Sequence, residues 1–291
     1  MRHETPWIAI VLEAPSGLEE ELAADLGASS LGVEAAPAGS GTVRLRIYLP
    51  GAQDPGPVLG RTARALRAHG VDPSNCELGV EGVEDGRWVE RYQASLRPLP
   101  LGDRFVVIPN GIASPGIGRD PILLVPGRAF GTGEHPTTRL CAAALERYVR
   151  PGSRWLDLGT GSGILAVVAA RCGAGVVEAV DDDDDAVDVA REVVEANGAA
   201  SRVRIRAGSA DLLAGAALDG CVANVATRYF VERAAEVAAV LGVSGVLLCS
   251  GLLGDDADQV SRVLRVAGLE TVERRDEGPW CLLVSRRGAA S

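Results

Sequence analysis

Two short glycine-rich stretches hold residue types suited to chemistry: DLGTGSGIL at residues 157–165 and FGTGEHPTTR at residues 130–139. In the first, Gly159, Gly161 and Gly163 let the backbone turn tightly and approach a ligand, and the helix that follows offers unpaired N–H groups to an anion. The spacing is G-x-G-x-G, with the third glycine one residue too early for the dinucleotide fingerprint. Asp157 stands two residues before Gly159, and Asp181 stands 22 residues after it, at the end of the next strand. A carboxylate there accepts both hydrogens of a ribose diol and repels a 2′-phosphate. Asp181 opens the run DDDDD, whose remaining members, Asp182 to Asp185, read as caps and dipole partners of the next helix. Asn224 ends the strand VANV at the carboxyl edge of a sheet, where open α/β sheets place ligands. Its amide can bond to a cofactor, to an incoming amine, or merely cap the strand.

The loop at 130–139 runs into the helical pattern TTRLCAAALERYV. It is placed to fold over a cofactor pocket. Thr137 or Thr138 is expected to cap the helix, whose N-terminus can help hold an anionic or polar group. His135 is open to a role as a base or a ligand, but a lone histidine is more often a structural hydrogen-bond donor.

These residues need a scaffold, and two different patterns supply it. From about residue 129, strands alternate with helices: SRWLDL (153–158), GVVEAVD (175–181), RVRIRA (202–207), DGCVANV (219–225), GVLLCSG (245–251), LETVERR (269–275) and PWCLLVSR (279–286). That order predicts a doubly wound α/β sheet, and the short DEGP connection makes the last two strands a hairpin, with one antiparallel strand. The first ~95 residues read β-α-β-β-α-β, the order of a small α+β ferredoxin-like sandwich. Its first helix is opened by a Ser16–Glu19 capping box and closed by Gly27. In TVRLRIYL (42–49), Val43, Leu45, Ile47 and Leu49 share one face while Arg44 and Arg46 share the other. Residues 96–128, with Pro98, Pro100, Pro109, Pro115, Pro121 and Pro126, read as a linker. The expected division is therefore 1–95, a docking domain; 96–128; and 129–291, the catalytic domain.

Bulk properties narrow the class. The 291-residue chain is 47% hydrophobic, enough for two cores, and carries a net charge of −10, which argues against binding nucleic-acid phosphates. Its six cysteines are scattered without a CxxC pair, so no disulfide or zinc framework is expected, no metal, and a cytoplasmic location. The uncharged run VAAVLGVSGVLLCSGLLG (237–254) is interrupted by glycine and serine and reads as helix end, turn, buried strand and loop, not as a membrane span. A monomer is expected.

The glycine spacing, the ribose acid and the antiparallel hairpin together resemble the S-adenosylmethionine-dependent methyltransferases. More narrowly, PGRAFGTGEHPTTRLC, LDLGTGSGILAVVAA, VANV, RWVERY and the tail EGPWCLL resemble the ribosomal protein L-eleven methyltransferase family over nearly the whole chain. The resemblance implies a two-domain enzyme whose N-terminal domain docks the substrate protein. Its C-terminal domain would move methyl groups from S-adenosylmethionine to lysine side chains and the N-terminal amine of ribosomal protein L-eleven. Carried over motif by motif, it implies cofactor contacts at Thr138, Gly159, Gly161, Asp181 and Asn224, and names no catalytic base. The chain departs from the family at Glu134, in the all-aspartate run after Asp181, and in Val-Ala-Thr after Asn224. The alternatives are the same chemistry on another protein or a small amine, a nicotinamide oxidoreductase, and a non-enzymatic docking protein.

Overall fold

The computed structural model describes residues 7–16, 18, 22, 32–39, 41–50, 54–83, 97–109, 118–124, 133 and 135–288. They fall into two compact units divided between Arg97 and Pro98.

In the first unit, strands β1 (Trp7–Pro15), β2 (Gly32–Gly39), β3 (Thr42–Pro50) and β4 (Glu77–Val83) form one sheet in the order β2-β3-β1-β4. All three pairings are antiparallel. Alternation decides the faces: Ile10, Leu12 and Ala14 of β1 meet Val43, Leu45, Ile47 and Leu49 of β3 in a core completed by Val58 and Leu66 of α1 (Gly56–Ala68). The opposite face is polar, where Arg44 pairs with Glu13, Arg46 lies 3.6 Å from Glu81, and the Tyr48 hydroxyl donates to Glu34 at 2.6 Å. The expected first helix falls mostly outside the described residues. Within it, the Leu22 N–H donates to the Leu18 carbonyl at helical spacing, and Leu22 is buried in the same core.

The second unit begins where a linker was expected, and there the sequence reading needs correction. Residues 99–124 contain a three-stranded sheet: β5 (Leu99–Leu101), β6 (Phe105–Pro109) and β7 (Asp120–Leu124). Of the prolines that suggest a linker, Pro100, Pro109 and Pro121 lie within or at the ends of these short strands, where a missing N–H is tolerated, and Pro115 and Pro126 lie outside the described residues. Phe105, Val106, Val107, Ile108 and Ile122 are buried. Two side chains bind this sheet to the main body. Glu146 accepts the N–H groups of Asp103 and Arg104, both at 3.1 Å. The Asn197 amide behaves like a residue of an added strand, accepting from the Leu123 N–H at 2.9 Å and donating to the Leu123 carbonyl at 2.8 Å.

The main sheet contains β8 (Arg154–Leu158), β9 (Val176–Asp181), β10 (Val203–Ala207), β11 (Leu218–Asn224), β12 (Leu241–Leu253), β13 (Leu269–Glu277) and β14 (Trp280–Arg287), in the order β10-β9-β8-β11-β12-β14-β13. The reversal between β8 and β11 is a topological switch point, the place where such sheets open a ligand crevice. β14 runs antiparallel to both of its neighbours, as the short hairpin connection requires. Helices α2 (Pro136–Tyr148), α3 (Ile164–Arg171), α4 (Asp184–Ala196), α5 (Thr227–Val240) and α6 (Ala257–Val266) join or flank the strands. The apolar run at 237–254 is the end of α5 followed directly by β12, a longer strand than the sequence suggested. Among the described residues no helix is long and apolar enough to cross a membrane.

Candidate active site

The carboxyl ends of β8, β9 and β11 converge with the first turn of α2. β8 delivers Asp157, which is fully buried; its Oδ2 accepts from the Thr160 hydroxyl at 2.7 Å, and its Oδ1 has no hydrogen-bond partner. Burial pushes this carboxyl up to about 7; the Thr160 hydroxyl and the nearby Ala166 amide draw it back, and Asp181 adds repulsion. A buried acid with one unpartnered oxygen therefore sits beside the glycine turn.

The turn leaves β8 through Gly159, whose φ is 69°. A side chain there would be strained, and its Cβ would lie 2.5 Å from Cγ1 of Val225. Val180 holds the turn down, its carbonyl accepting from both Gly159 and Thr160, at 2.9 and 3.0 Å. Gly163, also left-handed, occupies the N-cap position of α3.

Asp181 ends β9, and its carboxylate is part of the turn. Oδ2 accepts the Gly161 N–H at 2.8 Å and Oδ1 accepts the Asp183 N–H at 3.1 Å. A carboxylate offers about four acceptor sites, so two remain for a diol. Burial raises its pKa, the two amides lower it, and Asp182 and Asp183 raise it again. The rest of the aspartate run does what the sequence suggested: Asp183 caps α4 by accepting from the Asp185 N–H at 3.0 Å, and Asp184 and Asp185 occupy its first turn.

The cap of α2 differs from expectation. It is His135, with Pro136 as the first helical residue, so the helix starts before either threonine. The imidazole Nδ1 faces the Thr137 hydroxyl at 2.7 Å and accepts from the Thr137 N–H at 3.4 Å. Thr138 is thereby free of capping and lies buried, its hydroxyl accepting from the Asn224 amide at 3.5 Å. Of the five sequence-predicted residues, the structure thus joins Thr138 to Asn224 and Gly161 to Asp181, with Gly159 between β8 and the turn. Gly133 belongs to the same surroundings: a Cβ there would lie 2.8 Å from Val107 of β6 and 3.7 Å from Ile164 of α3. Phe130, Gly131, Thr132, Glu134 and the RWVERY motif lie outside the described residues.

Two features were invisible in sequence. The His135 ring meets Trp280, the first residue of β14, edge to face at 4.6 Å between centroids. Arg139 of α2 donates through Nε to Glu277 at the end of β13, at 2.9 Å. Both bring the hairpin β13–β14, more than 135 residues away in sequence, against the first turn of α2.

The comparisons agree with this architecture. The profile of the family described as Ribosomal protein L11 methyltransferase (PrmA) matches residues 38–288. The chain belongs to the ribosomal protein L11 methyltransferase family. A relative of that name from Symbiobacterium thermophilum is 38% identical over 225 residues, 77% of this chain and 72% of its own. Another, from Chloroflexus aurantiacus, is 35% identical over 271 residues, covering 84% and 82%. Among solved structures, a ribosomal protein L11 methylase from Lactobacillus delbrueckii subsp. bulgaricus aligns with a TM-score of 0.59 at 27% identity, over 67% of this chain and 100% of that one. The strand order with β14 antiparallel between β12 and β13 is thus the sheet of an L11 methyltransferase family member, and its switch point holds the glycine turn, the buried Asp157, the half-buried Asp181 and the Thr138–Asn224 contact.

Proposed function

We propose that this chain moves methyl groups from S-adenosylmethionine to lysine side chains and the N-terminal α-amine of ribosomal protein L11. The observation that carries the reading is the convergence, at one sheet edge, of the Gly161–Asp181 turn with the Thr138–Asn224 contact. The donor set suits an adenosyl sulfonium: Asp181 has acceptor sites left for a ribose diol, and the carboxyl groups of Asp157 and Asp181 give the crevice negative potential for a cation. When bound, S-adenosylmethionine supplies an electrophilic methyl group that carries its own leaving group.

The protein's own residues then have three tasks. Asp181 holds the nucleoside end, and the side-chain-free backbone of the glycine turn lets it approach. Thr138 and Asn224 wall the space into which an amine must come, fixing direction as an in-line displacement requires. The sheet edge and the first turn of α2 exclude water. A lysine of pKa about 10.4 costs roughly 4–5 kcal/mol to deprotonate at pH 7, and a terminal amine near 8 much less. Desolvation beside positive charge lowers both, so no side chain is assigned as a base.

The first unit, with its polar outer sheet face, is read as the docking surface for the substrate protein. The acidic chain acts as a cytoplasmic monomer that does not bind nucleic acid, a state that sedimentation and a filter-binding assay check directly. The decisive experiment incubates the full chain with S-adenosylmethionine and purified L11 and reads methyl-mass increments by mass spectrometry. Increments on L11 that disappear in Thr138→Ala and Asn224→Ala support the reading. Cofactor binding without increments would move the acceptor to another protein or a small amine.

A further inference from the structure

A second cavity opens at the opposite edge of the main sheet. It has a volume of about 440 Å³ and lies among the amino ends of β8 and β11, the early part of β12 and the last residues of β14. Along β8, Trp155 in its lining stands roughly 10 Å from Leu158 at the cofactor edge, at ~3.3 Å per residue. A volume in this range suits a small-molecule ligand of modest size.

Its walls have an uncommon composition for an acidic protein. Arg150 and Arg286 both line it, and neither forms an ion pair among the described residues. Arg286 lies over the Tyr148 ring, 5.9 Å from its centroid, and Arg147 lies over the same ring at 5.6 Å. The carboxylate best placed to neutralise this group is already engaged: Glu273 accepts from the Tyr148 hydroxyl at 2.5 Å and from Arg275 at 2.6 Å. Two further acids stand close. Asp219 accepts the backbone N–H of Arg154 at 2.8 Å, and Glu270 faces Arg286 across the β13–β14 ladder. Neither closes an ion pair with the two arginines. Ser244 adds a hydroxyl with no partner among the described residues, on a backbone held at φ 65°, a left-handed conformation that costs a serine energy. Pro151, Val243, Val246 and the edge of Trp155 supply the apolar part, with Val243 70% exposed.

From this geometry we infer a second ligand site that takes a small amphipathic anion: a phosphate or carboxylate head held by Arg150 and Arg286, and a flat apolar body laid against Pro151, Val243 and Val246. Guanidinium forks match either head in a bidentate manner, and both are unspent here. The site is separate from methyl transfer, so its ligand and the cofactor bind together.

The test uses the full chain saturated with S-adenosylhomocysteine, titrated calorimetrically with phenyl phosphate, phenylacetate and inorganic phosphate. One of the two ring-bearing anions binds at a single site, and inorganic phosphate, lacking the apolar body, binds at least several-fold more weakly. The tighter of the two identifies the head group. Arg150→Ala and Arg286→Ala each weaken binding by about tenfold or more, as expected for a charge-assisted hydrogen bond. Val243→Trp fills the mouth and abolishes it. Arg150 and Val243 are exposed and Arg286 is half-buried, and unchanged S-adenosylhomocysteine affinity shows that each variant is folded. Absence of binding by both ring-bearing anions overturns the inference. So does binding indifferent to the three substitutions, or binding that S-adenosylhomocysteine displaces, which belongs to the cofactor pocket.

Discussion

Replacing Asp157 by asparagine separates what the residue costs the fold from what it gives the site. In the native protein its carboxyl is raised to about 7 from an ordinary 3.8, mainly because it is wholly buried. Between these values the native state holds a proton that the unfolded state has released, so stability falls as pH rises from about 4 to about 7 and is flat above. At ~1.4 kcal/mol per pH unit, ionised Asp157 costs the native state about 4 kcal/mol at high pH, and about half of that has already been lost at pH 5.5. Asparagine carries no such dependence but leaves an NH₂ where Oδ1 now lacks a partner, at about 1–3 kcal/mol at every pH. Asp157→Asn should therefore be more stable than the parent by about 1–3 kcal/mol at pH 8.5. Its advantage over the parent should grow by about 2 kcal/mol between pH 5.5 and 8.5, a difference from which the amide cost cancels. Native-state hydrogen exchange on the peptides of β8, β9 and β11 reads this unit alone, after correction for intrinsic exchange rates. The same variant should bind S-adenosylmethionine more weakly. Parallel stability profiles for the two proteins across that pH range would refute the reasoning.

Other perturbations test the remaining parts. Gly159→Ala forces a left-handed alanine whose Cβ meets Val225, so it should lose about 1–3 kcal/mol and most cofactor affinity, and adding Val225→Ala should restore part of the stability in urea titrations. Asn197→Ala leaves the Leu123 N–H and carbonyl without their partner; a loss of about 1–3 kcal/mol is expected, with faster amide exchange concentrated in β7. Thr138→Ala and Asn224→Ala should keep the fold while slowing turnover, and because the two residues touch, a double-mutant cycle should show less than additive losses.

The doubly wound half was legible because its central strands are short apolar runs ended by glycine, aspartate or asparagine, and the DEGP turn alone forces β14 to run antiparallel to β13. The first unit was legible from alternation: Val43, Leu45, Ile47 and Leu49 point one way, and their partners on β1 follow by register. The three-stranded sheet was not legible. Its strands are only three to five residues long and contain prolines, and what secures them is remote: a glutamate on α2 and an asparagine after α4. Within the site, Gly159, Gly161, Asp181 and Asn224 could be placed from their position at strand ends. The cap of α2 could not be assigned correctly, because histidine is an uncommon cap and the threonines after Pro136 were the stronger local signal. The contact of His135 with Trp280 had no local signal at all.

The placement of β14 between β12 and β13 has a consequence for how the enzyme is made. A chain synthesised only as far as residue 279 has two strands, β12 and β13, waiting on either side of an empty slot, each with an open edge. The strand that fills the slot is the one that carries Trp280 to the first turn of α2. Completion of the sheet and the packing of Trp280 against His135 are thus one event. A nascent chain holding the glycine turn, both acids and Asn224 still lacks the strand between β12 and β13 and the ring that packs on the cap of α2.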